Sequence, residues 1–392
     1  MSYSIDVAVG QSRKAIRFLV AILAAIVISP PCVSSEEPSE ATVSAIKALQ
    51  AVGKQEQGLT AAVEAATVLR QAGTEEIPAM LDGMQSANSL SQNWFRGIVF
   101  DVTRKAGAPS VEVLSRYAMD QRKNALGRGL AMELLAKQDR VKAESLIAKC
   151  LNDPSLPLRL MAVEQAIGKA TSLADSDRKD DAATIYQEAL TAARHPRQLA
   201  RIVDALKELD QDVSLGDAFA MIGSWKVVAP FDNRDGIGYA AVYGPEETFS
   251  QGESVDLQAT YEGKNGDSKW QDIEPEGDDG KVDLAKAYNK EKGAVAYLFT
   301  RFDSSRDRSV QFRLGCINAN KVWLNGKLIM ANEVYHSGSM IDQYLADAKL
   351  KQGTNEILLK ICQNEQTQPW AQEWDFQFRI TDPTGKGLRS GE

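Results

Sequence analysis

Aromatic and amide side chains in the C-terminal half are the residues best suited to bind a ligand. An aromatic ring offers an apolar face to the C–H groups of a sugar, and neighbouring amides can hydrogen-bond its hydroxyls. The candidate ligand-binding residues are Trp323, Tyr335, His336, Trp370, Trp374, Asn318 and Asn320. Tryptophans also serve as core residues, so each ring has a purely structural alternative.

Two aspartates at the start of the same half, Asp232 and Asp235 in FDNRDGIG, are weak candidates for a calcium-binding turn. Calcium takes oxygen ligands, but Phe231 stands where EF-hand spacing needs the first of them. We therefore predict no cofactor and keep calcium as an open alternative.

Catalytic patterns are not visible in the sequence. The two histidines, His195 and His336, stand at unrelated places. There is no Gly-x-Ser-x-Gly elbow, phosphate-binding loop or His-Glu-x-x-His helix. A non-catalytic protein is predicted, and a hydrolase that uses carboxylates of the C-terminal half ranks behind the binding functions.

The cysteines leave one question open. Cys32 lies in the leader described below, and Cys150 falls in a helical region, where a core position is the simplest reading. Cys316 and Cys362 both fall in predicted strands, so a disulfide between them and a pair of buried thiols are alternatives.

Residues 1–35 have the pattern of an export signal. A basic stretch precedes the apolar run 18–28, and Val33 and Ser35 are the small residues expected before a cut at Glu36. The run is too short to span a bilayer but has the length of a signal-peptide core. We predict an exported protein, periplasmic or extracellular, without a membrane span after cleavage. Retention as an uncleaved anchor is the alternative.

The net charge argues against one class of partner. Residues 1–35 hold three cations and one anion, so their removal changes the formal charge from −8 to −10. Nonspecific binding to nucleic acid needs a basic face, so a nucleic-acid partner is not predicted.

The spacing of apolar residues divides the chain after residue 35 into two halves with different periodicity. From about residue 40 to 210, apolar residues recur at three- and four-residue spacing between joints of Gly, Asn, Asp or Pro, which predicts helices. Residues 152–168 resemble the second helix of a HEAT repeat, and KDDAATIYQEALTAA resembles a TPR helix. Stacked helix pairs explain both patterns. The charged residues of these helices are interpreted as lying on the outer faces, in contact with solvent.

The C-terminal half alternates apolar with polar residues, as half-buried antiparallel strands do. A short helix is predicted within 282–290. Asn325-Gly326 predicts a two-residue hairpin turn, with Trp323 on the opposite face from Val322 and Leu324. The predicted strands are at about 225–231, 256–262, 294–303, 308–317, 321–330, 342–350, 355–363 and 374–381.

The segments 225–247, 256–270 and 310–330 resemble a β-sandwich module of exported planctomycete-type proteins. The last of them contains VWLNGK, and a hairpin of this type recurs in the galactose-binding-like domains of family 2 glycoside hydrolases. The resemblance implies a jelly-roll sandwich that follows helical repeats. In the hydrolases this domain is an accessory to a separate catalytic barrel, for which this chain has no room.

The predicted architecture is therefore α plus β: a HEAT/TPR-like helical array followed by an antiparallel β-sandwich of jelly-roll, galactose-binding-like type. Its parts are a signal peptide at 1–35, helical repeats at 36–214, a linker at 215–224, a sandwich at 225–382 and a tail at 383–392. The predicted function is binding, with carbohydrate or another extracellular polymer on the sandwich and a protein partner on the repeats. A purely structural or assembly protein of the cell envelope is the alternative.

Overall fold

The structure is a computed structural model and describes residues 37–392. The predicted export signal and Cys32 lie outside the described residues. Among residues 37–392, no helix combines the length and the apolar character needed to cross a membrane.

The N-terminal half consists of helices, as predicted. They are α1 (Glu40–Gln50), α2 (Leu59–Gln71), α3 (Ile77–Gly83), α4 (Ser89–Ala106), α5 (Val111–Met119), α6 (Ala125–Gln138), α7 (Arg140–Ile147), α8 (Leu156–Asp175), α9 (Lys179–Ala192), α10 (Pro196–Glu208) and α11 (Leu215–Phe219). Short polar residues begin many of them: the side chain of Ser155, for example, accepts a hydrogen bond from the backbone N–H of Leu158. The apolar faces bury two clusters, one formed from α1 to the start of α8 and one from α8 to α11.

The C-terminal half consists of antiparallel strands with a few short helices, so the chain is α plus β. Its elements are β1 (Trp225–Asp232), α12 (Ile237–Ala240), α13 (Gly244–Ser250), β2 (Thr260–Gly263), β3 (Gly266–Lys269), β4 (Gln271–Ile273), β5 (Val282–Asp283), α14 (Leu284–Ala287), β6 (Ala294–Ser304), β7 (Arg308–Gly315), β8 (Ala319–Leu324), β9 (Lys327–Asn332), β10 (Tyr344–Leu350), β11 (Gly353–Gln363) and β12 (Asp375–Thr381).

Two antiparallel sheets share one core. The larger has the strand order β4-β1-β6-β11-β8-β9, and the smaller has the order β10-β7-β12-β5. Side chains from both sheets, among them Val227, Ile361, Phe312 and Phe378, form the cluster between them. Alternating apolar residues on each strand supply this inner face.

The predicted hairpin is present between β8 and β9. Asn325 and Gly326 both have positive φ, 49° and 83°, as a two-residue turn of this type requires. Val322 and Leu324 face the core between the sheets, while Trp323 belongs to a cluster on the other face.

Residues 233–270, which we name the covering segment, pack on the outer face of the larger sheet. The segment contains α12, α13, β2 and β3. The sequence predicted only one strand here, at 256–262, and that prediction was wrong over its first part. The sheet is buried on both faces, so β6 is buried from Ala294 to Phe299 instead of alternating.

A buried ion pair fastens the covering segment to the sheet. Lys360 of β11 donates from Nζ to Glu246 Oε2 at 2.8 Å and to the carbonyl oxygen of Ala241 at 2.6 Å. The hydroxyl of Tyr297 donates to the same carboxylate oxygen at 2.6 Å. The Lys360 side chain is fully buried. A buried charge of this kind needs its partners, so the pair fixes where α13 lies.

The two halves meet at α11, within the predicted linker 215–224. Phe219 is buried, and its carbonyl oxygen accepts a hydrogen bond from Arg379 of β12 at 3.3 Å. The same guanidinium lies 4.8 Å from the centre of the Phe219 ring. The segment is therefore a packed joint rather than a free connection.

The predicted tail, 383–392, is also part of this joint. Leu388 is buried in the core between the sheets. Arg389 donates to a carboxylate oxygen of Asp217 in α11 at 3.0 Å. The end of the described chain thus returns to the point where the two halves meet.

Candidate ligand-binding surface

Two loops meet at one end of the β half and bring together three of the predicted site residues. The first loop, 333–343, joins β9 to β10 and carries Tyr335 and His336. The second, 364–374, joins β11 to β12 and carries Trp370. The rings of His336 and Trp370 lie edge to face, with centroids 5.0 Å apart. We call His336, Asn364 and Trp370 with their surroundings the Trp370 surface.

Trp370 is the exposed aromatic residue of this surface, with 58% of its area accessible. It lies in a short helical turn, Pro369–Ala371. The turn is anchored from below, because the carbonyl oxygen of Ala371 accepts hydrogen bonds from Lys292 at 2.7 Å and from Gln363 at 3.3 Å. The indole is therefore presented to solvent by a fixed backbone.

Asn364 fixes the orientation of the His336 ring. The amide nitrogen of Asn364 donates to Gln366 at 2.9 Å, so its oxygen faces Nε2 of His336, 3.1 Å away. Nε2 is consequently the donor in this hydrogen bond. No group in the described chain bonds to the buried Nδ1.

Amide residues flank Trp370 in the sequence of the second loop. The run 363–372, QNEQTQPWAQ, contains five amide residues. Gln372 donates to the carbonyl oxygens of Thr367 and Gln368, which closes the loop upon itself. Gln366 and Gln368 are exposed. An apolar ring with amides at its rim can pack on a sugar and hydrogen-bond its hydroxyls.

Tyr335 is half-buried behind this surface. Its hydroxyl oxygen accepts a hydrogen bond from Asn233 at 3.1 Å. Burial raises the pKa of Tyr335 to about 12, so the phenol is neutral at physiological pH. Tyr335 therefore supports the loop from within and shares little of the exposed surface.

The two other predicted tryptophans are core residues. Trp323 is only 4% exposed and packs beneath the covering segment. Trp374 is fully buried between the sheets, with its ring 6.0 Å from that of Tyr288. Both tryptophans therefore have a structural role, which was the alternative to ligand binding, and neither is available to a ligand at the outer surface.

Asn318 and Asn320 are fully buried and belong to an internal network. Asn318 donates to the side-chain oxygen of Gln363 at 3.0 Å, and Asn320 donates to the carbonyl oxygen of Asn318 at 2.9 Å. Gln363 in turn holds the Trp370 turn through Ala371. These two asparagines therefore support the Trp370 surface from within and are not part of its exposed face.

The calcium candidates do not form a metal site. Both carboxylate oxygens of Asp232 bond to Arg234, at 2.8 and 2.6 Å. These hydrogen bonds from Arg234 lower the pKa of Asp232 to about 2. Asp235 is exposed and bonds to Glu365 through its backbone N–H. Within residues 37–392, no cluster of three or more His, Cys, Asp or Glu is arranged to hold a metal.

The two strand cysteines are free, buried thiols, so the disulfide alternative is not formed in this structure. Cys316 lies in the core between the sheets, whereas Cys362 faces the cluster under the covering segment. The two side chains therefore point to different layers. Cys150 is a buried thiol among the helices.

Sequence reasoning missed Asn364 and Gln366, which together orient His336. The available signal was the density of amides on both sides of Trp370 in 363–372. This signal is one of composition and involves no catalytic or metal-binding motif.

Comparison with known proteins gives little beyond this geometry. No family profile and no curated protein sequence matches the chain. Among solved structures, a β-glucosidase from Kluyveromyces marxianus shares 17% identity over 26% of this chain and 13% of its own, with a TM-score of 0.21. An anti-sigma factor domain-containing protein from Clostridium clariflavum shares 10% identity over 43% of this chain and 45% of its own, with a TM-score of 0.22.

An alpha-xylosidase from Xanthomonas citri shares 10% identity over 29% of this chain and 15% of its own, with a TM-score of 0.17. This chain thus covers less than half the length of each of these proteins. Similarities of this size support no conclusion about fold or function.

Proposed function

We propose that the protein is an exported, non-catalytic binding protein that recognises carbohydrate at the Trp370 surface. One observation carries the proposal: an exposed indole stands on an anchored turn, beside an oriented histidine and a rim of amides. Neutral, hydroxyl-rich ligands suit this combination, because the ring binds C–H faces while the amides bind hydroxyls.

The helical half has a docking role in the same proposal. We interpret it as a HEAT/TPR-like array and the β half as a jelly-roll, galactose-binding-like sandwich. The packing of sequence-adjacent helices on each other supports the first interpretation, and the shared core of two antiparallel sheets supports the second. A partner protein bound to the array would then be brought to the glycan.

A glycan array probed with the chain from residue 36 onward tests the carbohydrate role, with and without calcium. The whole mature chain is used because α11 and the β half share buried contacts. Trp370→Ala is expected to lower glycan affinity by at least about tenfold, which corresponds to about 1.4 kcal/mol. Leu328→Ala is the matched control, since Leu328 is also an exposed large apolar residue but lies at the hairpin end of β9.

Either of two results contradicts the proposal. A blank array in both conditions removes the carbohydrate role and leaves the assembly protein of the cell envelope as the better interpretation. A glycan signal that survives Trp370→Ala unchanged places the ligand elsewhere on the molecule.

A further inference from the structure

The helical half contains an open groove that the Trp370 surface does not use. It has a volume of about 890 Å³ and lies between α7, α8 and the start of α10. Three apolar residues, Ile147, Leu160 and Met161, contribute to its lining. Leu160 is 42% exposed, so a large aliphatic side chain of this lining is accessible from the groove.

One face of α8 lines this groove over two turns of the helix. Leu160, Glu164 and Gly168 follow each other at four-residue spacing and all line it. Apart from the adjoining residues and backbone of α8 itself, no atom lies within 4 Å of the position that a Cβ at Gly168 would take. The groove therefore has room for side chains of a bound segment.

Gln198 of α10 provides an unsatisfied acceptor in the same wall. The residue is only 4% exposed, and its amide nitrogen donates to the carbonyl oxygen of Leu160 at 2.9 Å and to Glu164 at 3.2 Å. These two bonds fix the amide orientation. Its oxygen has no hydrogen-bond partner within the described residues. The bonds from Gln198 hold α10 against α8 and so fix the shape of this part of the groove.

The charge of the groove is opposite to that of the chain. Its lining has four cations, Arg140, Lys169, Arg197 and Arg201, and two carboxylates, Glu144 and Glu164, a surplus of two positive charges. The whole chain carries −8.

The groove's carboxylates are already paired with two of its cations. Glu164 pairs with Arg201 at 2.7 Å, and Glu144 pairs with Arg140 at 2.6 Å. Lys169 and Arg197 thus remain without a carboxylate partner in the part of the chain described here. The amino-terminal end of α10 adds further positive potential on the same side.

We propose that this groove docks an acidic protein segment with an apolar anchor. The anchor packs on Leu160 and Met161, and carboxylates of the segment pair with Lys169 and Arg197. The proposal rests on the docking role proposed above and assigns it a place and a chemistry. Charge complementarity selects an acidic partner, and the exposed Leu160 selects one that also has an apolar side chain.

A library of short random peptides displayed on phage, selected on the mature chain, tests this assignment. We expect the enriched peptides to combine an aliphatic or aromatic residue with flanking Asp or Glu. Leu160→Asp removes the apolar contact with the anchor, and the double variant Lys169→Glu/Arg197→Glu removes the charge pairs. Each is expected to weaken an enriched peptide roughly thirtyfold, the effect of losing about 2 kcal/mol at an interface hot spot.

A matched control carries the same charge change elsewhere. Lys105→Glu/Lys327→Glu alters two exposed lysines outside the groove and is expected to bind the peptides like the wild type. A peptide whose acidic residues are replaced by lysine should prefer the Lys169→Glu/Arg197→Glu protein over the wild type. This reversal requires a folded variant, so it separates lost charge pairing from misfolding.

Several outcomes overturn the assignment. A selection without acidic enrichment, or peptides that bind both groove variants as well as the wild type, refutes the groove but leaves a docking role elsewhere on the helices. Failure to select any peptide refutes both. Polygalacturonate binding that is equal for the wild type and Leu160→Asp would identify a surface for acidic polysaccharide and not for a protein segment. None of these results affects the glycan test at Trp370.

Discussion

Replacing Asp342 by asparagine is expected to weaken the joint between the two halves. Oδ1 of Asp342 accepts from Arg379 Nε at 2.7 Å, and Oδ2 accepts from Arg313 Nη1 at 2.8 Å and from Arg379 Nη2. The three side chains are 7%, 1% and 12% exposed, for Asp342, Arg379 and Arg313 in turn. Arg379 also contacts Phe219 of α11, so this carboxylate neutralises the cation that joins the halves.

The magnitude follows from burial. Asparagine preserves the shape but leaves two guanidinium groups without their carboxylate, and breaking a buried ion pair from one side costs about 3–5 kcal/mol. An exposed pair would be worth no more than about 1 kcal/mol. We therefore expect Asp342→Asn to lower the free energy of unfolding by about 3–5 kcal/mol at neutral pH.

The effect should also depend on pH. Burial alone would raise the pKa of Asp342, but the hydrogen bonds and charges of Arg379 and Arg313 outweigh it and hold the pKa below its usual range. A carboxyl with a lowered folded-state pKa stabilises the protein above its unfolded pKa of about 3.9 and loses this contribution as the pH falls through the folded pKa. The difference between wild type and Asp342→Asn should thus shrink below about pH 4.

Urea unfolding followed by circular dichroism measures the loss, and limited proteolysis near residues 209–224 reports opening of the joint. Asp347→Asn is the control, because Asp347 lies nearby on β10 but is exposed and accepts only a hydrogen bond from Gln311. A loss below about 1 kcal/mol, or one equal to that of Asp347→Asn, would refute the role given to this carboxylate.

Three further predictions concern the interior. Burial raises the pKa of Asp375, so the stability that comes from its protonated state is lost as the pH rises through that pKa. The melting temperature of Asp375→Asn should therefore rise relative to that of the wild type as the pH increases above about 4, the unfolded pKa of the carboxyl; parallel curves would contradict this. Burial raises the pKa of the Cys316 thiol, and it raises the pKa of the Cys362 thiol to about 12. A maleimide should therefore label neither thiol until the protein unfolds. Rapid labelling of the native protein would show that the thiols are accessible. Glu246→Gln leaves the buried charge of Lys360 without its partner and should lower the free energy of unfolding by about 3–5 kcal/mol. The double variant Glu246→Leu/Lys360→Met removes both charges and should lower it clearly less. Equal losses of the two variants in an unfolding titration would argue against a coupled pair.

Local signals predicted much of the β half. The hairpin at Asn325-Gly326 was predictable because a two-residue turn needs residues that tolerate positive φ, and the flanking alternation then assigns each face. Strands such as β7 and β12 were predictable because each carries its own alternation. These features depend on neighbours along the chain, which a sequence displays directly.

The covering segment was not predictable for the opposite reason. Its helices α12 and α13 have four and seven residues, too short for a periodic pattern to emerge. They are held by distant residues, above all by Lys360, which lies 114 positions from Glu246. The segment also covers Trp323, whose exposure the hairpin pattern alone left open.

The candidate site shows the same division. The composition around Trp370 indicates a surface suited to carbohydrate, but Trp370 and Trp374 stand four residues apart in similar sequence surroundings. One is 58% exposed and the other is fully buried, because only Trp374 reaches the core between the sheets. Packing in three dimensions decides between the two, and no local pattern reports it.

The return of residues 383–392 to the joint has a mechanical consequence. The chain passes from one half to the other once along its sequence, yet it is attached at that place twice, through α11 and through Leu388 and Arg389. A hinge motion would have to detach both attachments together. Opening of the joint therefore requires the loss of the Arg379–Phe219 contact and of the Arg389–Asp217 ion pair.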